Sequence, residues 1–237
     1  MSGVLYGIGL GPGEAELITL KAARLIGAAG VVAYPAPPGG ESLARRIAAD
    51  LLPEGVVELV VEVPMTPERG PAQAGYDRGG ERIGEALAAG MDVVFLCEGD
   101  PFFYGSFMYL HARLAADFRV EVVPGVTSLS AASAALGLPL VARNQVLSVL
   151  PAPLDDGALA AGIGGADTLA IVKVGRHLDR LRALIERLGL LDRAMYVERA
   201  SMAGERLLPL AEAPDPAPYF SMIVITKGAD PWLKTRL

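Results

Sequence analysis

A regular alternation of short strand-like runs and longer helix-like segments is the feature that most constrains the fold of this chain. In its first half, runs rich in Val, Ile and Leu alternate with segments whose apolar residues recur at helical spacing. The predicted strands are 4–8, 31–34, 56–63, 93–97 and 120–123, and the predicted helices are 20–29, 42–51, 72–89 and 107–116. Such alternation is typical of an α/β layer built on a largely parallel sheet.

The character of the sequence changes after residue 124. A helix rich in Ala and Ser is predicted over 129–136, and the Gly and Pro that follow it mark its end. A second α/β set comes next, with strands at 146–150, 168–174, 194–198, 206–210 and 220–226 and helices at 156–161 and 179–188. We therefore predict two α/β domains, 1–139 and 145–237.

Composition narrows the classes of function. A net charge of −6 argues against a nucleic-acid-binding protein, which needs a basic surface. Cys97 is the single cysteine, which excludes a disulfide framework, and no His/Cys pair has the spacing of metal ligands. No apolar run approaches the roughly 20 residues that span a bilayer, and the first residues lack the pattern of a signal peptide. We expect a cytoplasmic protein with no metal, no membrane partner and no nucleic-acid partner.

Three loops rich in Gly and Pro each follow a predicted strand, at 7–13, 97–105 and 124–128. The first lacks the dinucleotide-binding spacing, because its sixth position is not Gly in either frame. Taken singly, each loop is explained by a tight turn or a helix cap, and Asp100 is typical of such a cap. Three such loops after strands of one sheet indicate a ligand site, since ligands collect at the carboxyl ends of parallel strands.

Together the three loops resemble the signatures of a known family. Residues 9–22 read Gly-Leu-Gly-Pro-Gly and then Glu-Ala-Glu-Leu-Ile-Thr-Leu-Lys-Ala, which is similar to the N-terminal signature of the tetrapyrrole methylases. Residues 99–101 and 124–128 are similar to the family's other two loop motifs, and the similarity runs from residue 5 to about residue 227. The resemblance implies two α/β domains of the tetrapyrrole methylase type, the class III S-adenosylmethionine (SAM) methyltransferases, with the active site in the cleft between them.

Further stretches resemble the branch of the family that methylates precorrin-2 at C-20 on the way to cobalamin. These stretches are 34–42, 97–109, 173–177, 196–202 and 218–222. The resemblance implies SAM as the methyl donor, a small-molecule tetrapyrrole substrate and a homodimer. The residues it places against SAM are Pro12, Glu98, Gly99, Asp100, Thr127, Ser128, Val174, Ala200 and Thr226. Val174 departs from the pattern, because relatives often have Met at that position.

The type of reaction adds further candidates. Methyl transfer to an electron-rich ring needs alignment of the reactants, and no Ser/His/Asp or Cys/His arrangement supplies a protein nucleophile. Candidate bases for the displaced meso proton are Tyr104, Tyr109 and His111, although the apolar run around His111 also suits a core histidine. The substrate carboxylates require cations. The candidates are Arg45, Arg46, Arg143, Lys173, Arg176 and Arg199, each of which singly is also explained as a solvated surface charge.

Other functions are compatible with the same loops. Within the family, the alternatives are a cobalt-loaded precorrin-2 substrate, uroporphyrinogen III, ribosomal RNA and a modified protein histidine. A non-catalytic ligand-binding protein is the alternative outside the enzymes. The acidic balance disfavours RNA, and the intact loops disfavour a decayed site. The resemblance favours metal-free precorrin-2, which methylation at C-20 converts to precorrin-3A.

Overall fold

The structure, a computed structural model, describes residues 2–64 and 69–228. The chain forms two compact units that divide between Ser128 and Leu129. Each unit contains a five-stranded sheet with helices against it, so the predicted α/β fold class is confirmed. Within the described ranges, no helix combines the length and the apolar character needed to cross a bilayer.

The first unit is built on a fully parallel sheet. Its strands are β1 (Val4–Gly9), β2 (Val31–Ala36), β3 (Val57–Glu62), β4 (Val93–Cys97) and β5 (Arg119–Val123), in the order β3-β2-β4-β1-β5. Its helices are α1 (Leu20–Gly27), α2 (Leu43–Ile47), α3 (Arg69–Ala88) and α4 (Phe107–Leu114). Every residue of β4 is buried, because a parallel sheet is covered on both faces. The side chains of alternate strand residues pack into two separate hydrophobic cores, one on each face of the sheet.

Glycines within α3 determine how closely that helix packs on the sheet. A Cβ atom on Gly75 would lie 2.2 Å from the Glu62 carbonyl oxygen, and one on Gly79 would lie 2.5 Å from the Val61 side chain. The two glycines therefore allow the helix to lie directly against β3. This close packing offsets the cost of about 1 kcal/mol that each interior glycine brings to a helix.

The second unit has a mixed sheet. Its strands are β6 (Leu147–Pro151), β7 (Thr168–Val172), β8 (Ala194–Glu198), β9 (Arg206–Pro209) and β10 (Ser221–Thr226), in the order β6-β7-β10-β8-β9. Its helices are α5 (Ser128–Leu136), α6 (Asp156–Gly164) and α7 (Leu178–Arg187). The pair β6–β7 is parallel, and β10 lies antiparallel between β7 and β8. As a result, β6, β7 and β8 end at one edge of the sheet, and β10 ends at the other.

Helix α5 belongs structurally to the second unit. Leu129, Ala131 and Ala132 are buried in one cluster with Ala170 of β7 and Val224 of β10. The structural division therefore falls at the first residue of this helix, whereas the predicted boundary at 139–145 comes after it. The second sheet covers the apolar face of α5. The predicted boundary lies at the loop rich in Gly and Pro after the helix, and such a loop does not indicate which sheet the helix packs against.

Candidate ligand-binding site

The first two signature loops are hydrogen-bonded to each other at the carboxyl edge of the parallel sheet. The N–H of Gly11 donates to the carbonyl of Gly99 (3.2 Å), and the N–H of Gly99 donates to the carbonyl of Gly11 (2.8 Å). Leu10 N–H donates to the carbonyl of Cys97, at the end of β4 (2.9 Å). Because β1 and β4 are neighbours, their loops leave the sheet side by side, and this antiparallel Gly11–Gly99 bridge fixes both loops.

The third loop packs backbone to backbone against the other two. A Cβ on Gly125 would lie 2.1 Å from the Gly99 carbonyl oxygen, and one on Gly9 would lie 2.5 Å from the Gly125 nitrogen. Both contacts are with backbone, which cannot move aside as a flexible side chain can. Gly99 differs, because its φ of +65° favours glycine while a Cβ there would meet nothing within 4 Å. The edge is thus tightly joined at Gly9 and Gly125 and open beside Gly99.

Asp100 joins the second loop to the third. One oxygen, Oδ1, accepts hydrogen bonds from the N–H groups of Phe102 (2.9 Å) and Phe103 (3.1 Å). The other, Oδ2, accepts from Gly125 N–H (3.0 Å). The carboxylate therefore caps the turn after it, as Asp at this position favours, and also holds the 124–128 loop in place. The helix that follows, α4, begins only at Phe107.

Glu98 lies between the two joined loops and α2. Its Oε1 accepts from the N–H of Ala44 (3.2 Å) in the first turn of that helix. Burial raises the pKa of the Glu98 carboxyl, and hydrogen bonds from backbone N–H groups oppose that rise. The adjacent Cys97 is buried, and burial raises the pKa of its thiol to about 11. Cys97 therefore packs as a small apolar residue, and Glu98 is the ionisable group of this segment.

The remaining predicted loop residues lie where the signatures place them. Pro12 is half-buried in the first loop, Thr127 is half-buried after β5, and Ser128 is exposed at the start of α5. The structure thus gathers Pro12, the 98–100 segment and Thr127 along one edge of the first unit.

The three candidate bases have different surroundings. Tyr104 has a φ of 56° and an exposed side chain. The ring of Tyr109 is also exposed and lies 4.8 Å, centroid to centroid, from the buried ring of Tyr76. His111 is half-buried and packs edge-on against the ring of Phe102 at 5.1 Å. The environment of His111 is that of a packed histidine, whereas both tyrosines are exposed to solvent.

In the second unit, one predicted contact lies apart from the other two. Val174 and Ala200 are buried and follow β7 and β8 at one edge of the sheet. Thr226 is the last residue of the antiparallel β10 and pairs with Thr168, the first residue of β7. Because a strand rises about 3.3 Å per residue, the two ends of β7 are roughly 13 Å apart. Thr226 therefore lies at a different edge of the sheet from Val174 and Ala200. The predicted contact of all three residues with adenosine would require them to share one edge.

The segment that precedes β10 occupies that edge instead. The N–H of Arg199 donates to the carbonyl of Phe220 (2.8 Å), and the Ser221 hydroxyl donates to the carbonyl of Pro218 (2.7 Å). Residues 218–222 resemble the family, but none of them is among the predicted contacts. The antiparallel direction of β10, which the sequence pattern does not state, is what brings this segment beside Ala200.

Left-handed backbone at non-glycine residues coincides with the predicted site. In the described part of the chain, positive φ angles outside glycine occur at Tyr104, Arg143, Lys173, Arg199 and Ser201. The first four are candidate site residues from the sequence. Such conformations cost of order 1–3 kcal/mol each and cluster at functional sites. Four of the five strained positions are therefore among the candidate site residues.

The six candidate cations fall into two groups. Arg45 forms a two-pronged pair with Glu58 (Nε–Oε2 and Nη2–Oε1, both 3.1 Å), and the Tyr34 hydroxyl donates to the same carboxylate. The guanidinium of Arg45 is therefore engaged within the protein. The other candidates are exposed: Arg46, Arg143, Lys173, Arg176 and Arg199.

Glu198 is a buried carboxylate that is not among the predicted site residues. It is 5% exposed at the end of β8 and accepts a hydrogen bond from the Tyr196 hydroxyl (2.9 Å). Arg199 and Arg206 approach it at 3.9 and 3.8 Å. The sequence does contain a signal for such a carboxylate: an acidic residue ends an apolar strand and is followed directly by Arg. Within residues 2–64 and 69–228, no group of three or more His, Cys, Asp or Glu is placed to hold a metal ion.

This fold is shared with solved methyltransferases. Uroporphyrin-III C-methyltransferase from Thermus thermophilus, solved with S-adenosyl homocysteine, superposes with a TM-score of 0.67 at 28% identity, covering 95% of this chain and 98% of that one. The two-sheet α/β fold with joined glycine loops is thus the fold of a class of methyltransferases. The model of the Tetrapyrrole (Corrin/Porphyrin) Methylases matches residues 4–214, and the chain belongs to that family.

Two curated relatives define the closer similarity. A precorrin-2 C(20)-methyltransferase from a Sinorhizobium species is 42% identical over 243 residues, covering 97% of this chain and 99% of the relative. The cobalamin biosynthesis protein CobIJ of Mycobacterium tuberculosis H37Rv is 48% identical over 235 residues, covering 95% of this chain. The chain spans about half the length of that relative, 46%.

Proposed function

We propose that this chain is a SAM-dependent methyltransferase that methylates metal-free precorrin-2 at C-20, giving precorrin-3A in cobalamin biosynthesis. One observation carries the proposal: the three signature loops are joined at one sheet edge, by the Gly11–Gly99 pairing and by Asp100. The almost end-to-end similarity to the Sinorhizobium enzyme supports the choice of substrate and of carbon. We further propose a cytoplasmic homodimer, which the family resemblance implies.

The loop edge has the chemistry that SAM requires. Glu98 offers a carboxylate to a cationic ligand, and Thr127 carries a hydroxyl at the same edge. The open space beside Gly99 leaves room for a ligand to approach the backbone. When bound, SAM supplies a methyl group on a sulfonium sulfur, which passes to the ring carbon while the sulfur leaves as a thioether.

The roles of the remaining contacts follow from their positions. Asp100 acts as a positioning residue, since its two oxygens already accept three backbone hydrogen bonds. Pro12 and Ser128 border the same edge of the first unit. In the second unit, Val174 is fully buried, and Ala200 lies beside the 218–221 segment at one edge of the sheet. We propose that this edge, rather than Thr226, contacts the adenosine.

The chain's own residues must align the ring, exclude water and accept the displaced meso proton. We propose that the Tyr104 hydroxyl relays this proton to solvent, accepting it from the ring carbon as its own proton passes to water, because a strained backbone holds its exposed side chain four residues beyond Asp100. Replacement Tyr104→Phe keeps the ring and removes the hydroxyl. We expect kcat to fall at least tenfold with little change in KM for the tetrapyrrole, as measured by steady-state kinetics. An unchanged kcat would assign the proton to another group.

The test of the whole proposal is an anaerobic incubation of the purified chain with ¹³C-methyl SAM and enzymatically made, metal-free precorrin-2. We expect mass spectrometry to show one added methyl group and carbon NMR to place it at C-20. Methylation of only the cobalt complex would overturn the choice of metal-free substrate. Methylation at another carbon, or of uroporphyrinogen III alone, would overturn the C-20 assignment. Binding of S-adenosyl homocysteine without turnover on any of these tetrapyrroles would favour a non-catalytic protein.

A further inference from the structure

Four aromatic side chains just beyond the Gly-Asp-Pro loop are exposed to solvent. Phe102, Phe103, Tyr104 and Tyr109 are 49%, 37%, 45% and 49% exposed, respectively. Large aromatic side chains are mostly buried in folded proteins, so four exposed within eight residues form an unusual apolar surface. We call this group of four residues the aromatic ledge.

Neighbouring rings pack against two side chains of the ledge. The Phe102 ring packs edge-to-face on His111 (5.1 Å) and stacks at 6.2 Å on the buried ring of Phe107. The Tyr109 ring lies 4.8 Å from the buried ring of Tyr76. Side chains supported by buried rings lose little conformational freedom when a ligand covers them, which favours binding.

The backbone of the ledge is fixed by the signature loop itself. Asp100 accepts hydrogen bonds from the N–H groups of Phe102 and Phe103, and its second oxygen holds Gly125. Tyr104 has a φ of 56°, which is a genuine outlier for a bulky residue. Its ring packs edge-to-face on Phe103 at 5.2 Å. The same carboxylate that joins the loops thus also sets the position of the aromatic rings.

We propose that the aromatic ledge is the surface on which the flat tetrapyrrole ring stacks, which places the ring beside the 98–100 loop. This inference rests on the proposed function and names the residues that recognise its substrate. A planar conjugated macrocycle suits the ledge because aromatic rings attract one another in offset-stacked and edge-to-face arrangements. The continuity of the ledge with the loop, through Asp100, favours this occupant over a partner protein.

The experiment compares the double variant Phe102→Leu/Phe103→Leu with the control Leu188→Ala, which removes an exposed apolar side chain at the end of α7. We expect the double variant to raise KM for precorrin-2 at least tenfold and to weaken quenching of uroporphyrin III fluorescence by a similar factor. Its dissociation constant for S-adenosyl homocysteine, measured by calorimetry, should stay within twofold. The control should leave all three quantities unchanged.

Other outcomes overturn the inference in distinguishable ways. Unchanged KM and quenching would remove the ledge from substrate recognition while the proposed function stands. An equal loss of S-adenosyl homocysteine affinity would make these residues part of the donor site. A shift from dimer to monomer in sedimentation, with KM unchanged, would make the ledge a contact between two copies. If the wild-type chain methylates no tetrapyrrole but the variant still loses uroporphyrin binding, the ledge stands and the proposed function fails.

A second variant keeps the test independent of folding. Tyr109→Ala changes an exposed residue on α4, outside the turn that Asp100 caps. If the double variant does not fold, as judged by circular dichroism, we expect Tyr109→Ala alone to raise KM for precorrin-2 about threefold or more. An unchanged KM in a folded Tyr109→Ala protein would then overturn the inference.

Discussion

The two units differ in the residues at which the chain turns after the strands of their sheets. In the first unit the turns after β1 and β4 use glycine, with φ values of +77° at Gly11 and +65° at Gly99. In the second unit the turns after β7 and β8 place Lys173 and Arg199 in the same region of backbone space, at 60° and 51°. Left-handed backbone is nearly free of strain for glycine and costly for other residues.

The difference shows what each edge requires. Glycines in the first unit are needed for space, since its loops pack backbone against backbone around Gly9 and Gly125. The second unit accepts strain at positions where side chains with positive charge are exposed. The first edge thus packs backbone against backbone, and the second exposes charged side chains. The following predictions test that contrast in order of decreasing effect.

The largest effect is expected for Gly125→Ala in the first unit. The new Cβ would lie 2.1 Å from the Gly99 carbonyl oxygen and 2.8 Å from the Cα of Gly9. We expect the free energy of unfolding to fall by about 3 kcal/mol, because overpacking forces the backbone to shift. The same shift should lower the affinity for S-adenosyl homocysteine at least a hundredfold. Urea titration and calorimetry measure the two quantities. The control is Gly164→Ala, at the end of α6, where a Cβ meets nothing within 4 Å. It should leave the affinity unchanged and raise the stability by up to about 1 kcal/mol, because Ala favours a helix more than Gly does.

The buried carboxylate of the second unit should give the next largest effect. Glu198→Ala leaves the buried Tyr196 hydroxyl without its acceptor and removes the charge between Arg199 and Arg206. We expect a loss of about 2 kcal/mol in the free energy of unfolding, because an unsatisfied buried polar group costs about 1–3 kcal/mol. Denaturant unfolding checks it, with Glu186→Ala on the exposed face of α7 as the control. Equal stability of both variants would mean that the cluster around Glu198 contributes nothing.

A reciprocal pair of substitutions tests the backbone contrast itself. Gly99→Ala places a Cβ at a φ of +65°, and Lys173→Gly removes one at 60°. We expect Gly99→Ala to cost about 1 kcal/mol and Lys173→Gly to gain up to about 0.5 kcal/mol, since glycine relieves the strain but adds freedom to the unfolded chain. Thermal unfolding compares their Tm values. Methylation should fall in both, and a fully active Lys173→Gly enzyme would argue that the strain serves no function.

The smallest effect concerns the pH dependence contributed by Glu98. Burial raises the pKa of this carboxyl in the folded chain, so the folded state keeps its proton to a higher pH than the unfolded state. Its contribution to stability is therefore fully present below the unfolded pKa and is lost as pH rises through the folded pKa. Glu98→Gln cannot ionise, and we expect it to gain stability relative to the parent between pH 4 and pH 8 in urea titrations. A constant difference across that range would show that Glu98 does not titrate differently on folding.

Local sequence patterns predict the bounds of a strand where both of its faces are buried. The predicted bounds of β4 and β8, 93–97 and 194–198, are those of the structure, because continuous apolar runs mark fully or nearly buried strands. The helix over 72–89 was also predicted, although its glycines argued against it. Only the contact of Gly75 and Gly79 with β3 explains why they are there.

The residue types at the candidate site were also readable from the sequence, but their roles were not. The three loops, Asp100 and Tyr104 were selected by motif and resemblance. That Asp100 binds the backbone of two loops became clear only from its distances to Phe102 and Gly125. Arg45 is a predicted partner for the substrate, and its pairing with Glu58 of β3 is visible only in the distances between the two side chains.

The sequence by itself determined the alternation of strands and helices, the three glycine loops and the family to which the chain belongs, because these depend on short-range spacing and on residue type. Tertiary structure alone decided that α5 packs on the second sheet, that Thr226 and Val174 lie at opposite ends of β7, and that four aromatic rings are exposed beside the loop. The physical reason is that strand direction, helix partner and exposure are set by contacts between residues far apart in the chain. A local pattern is equally compatible with either direction of a strand and either partner of a helix.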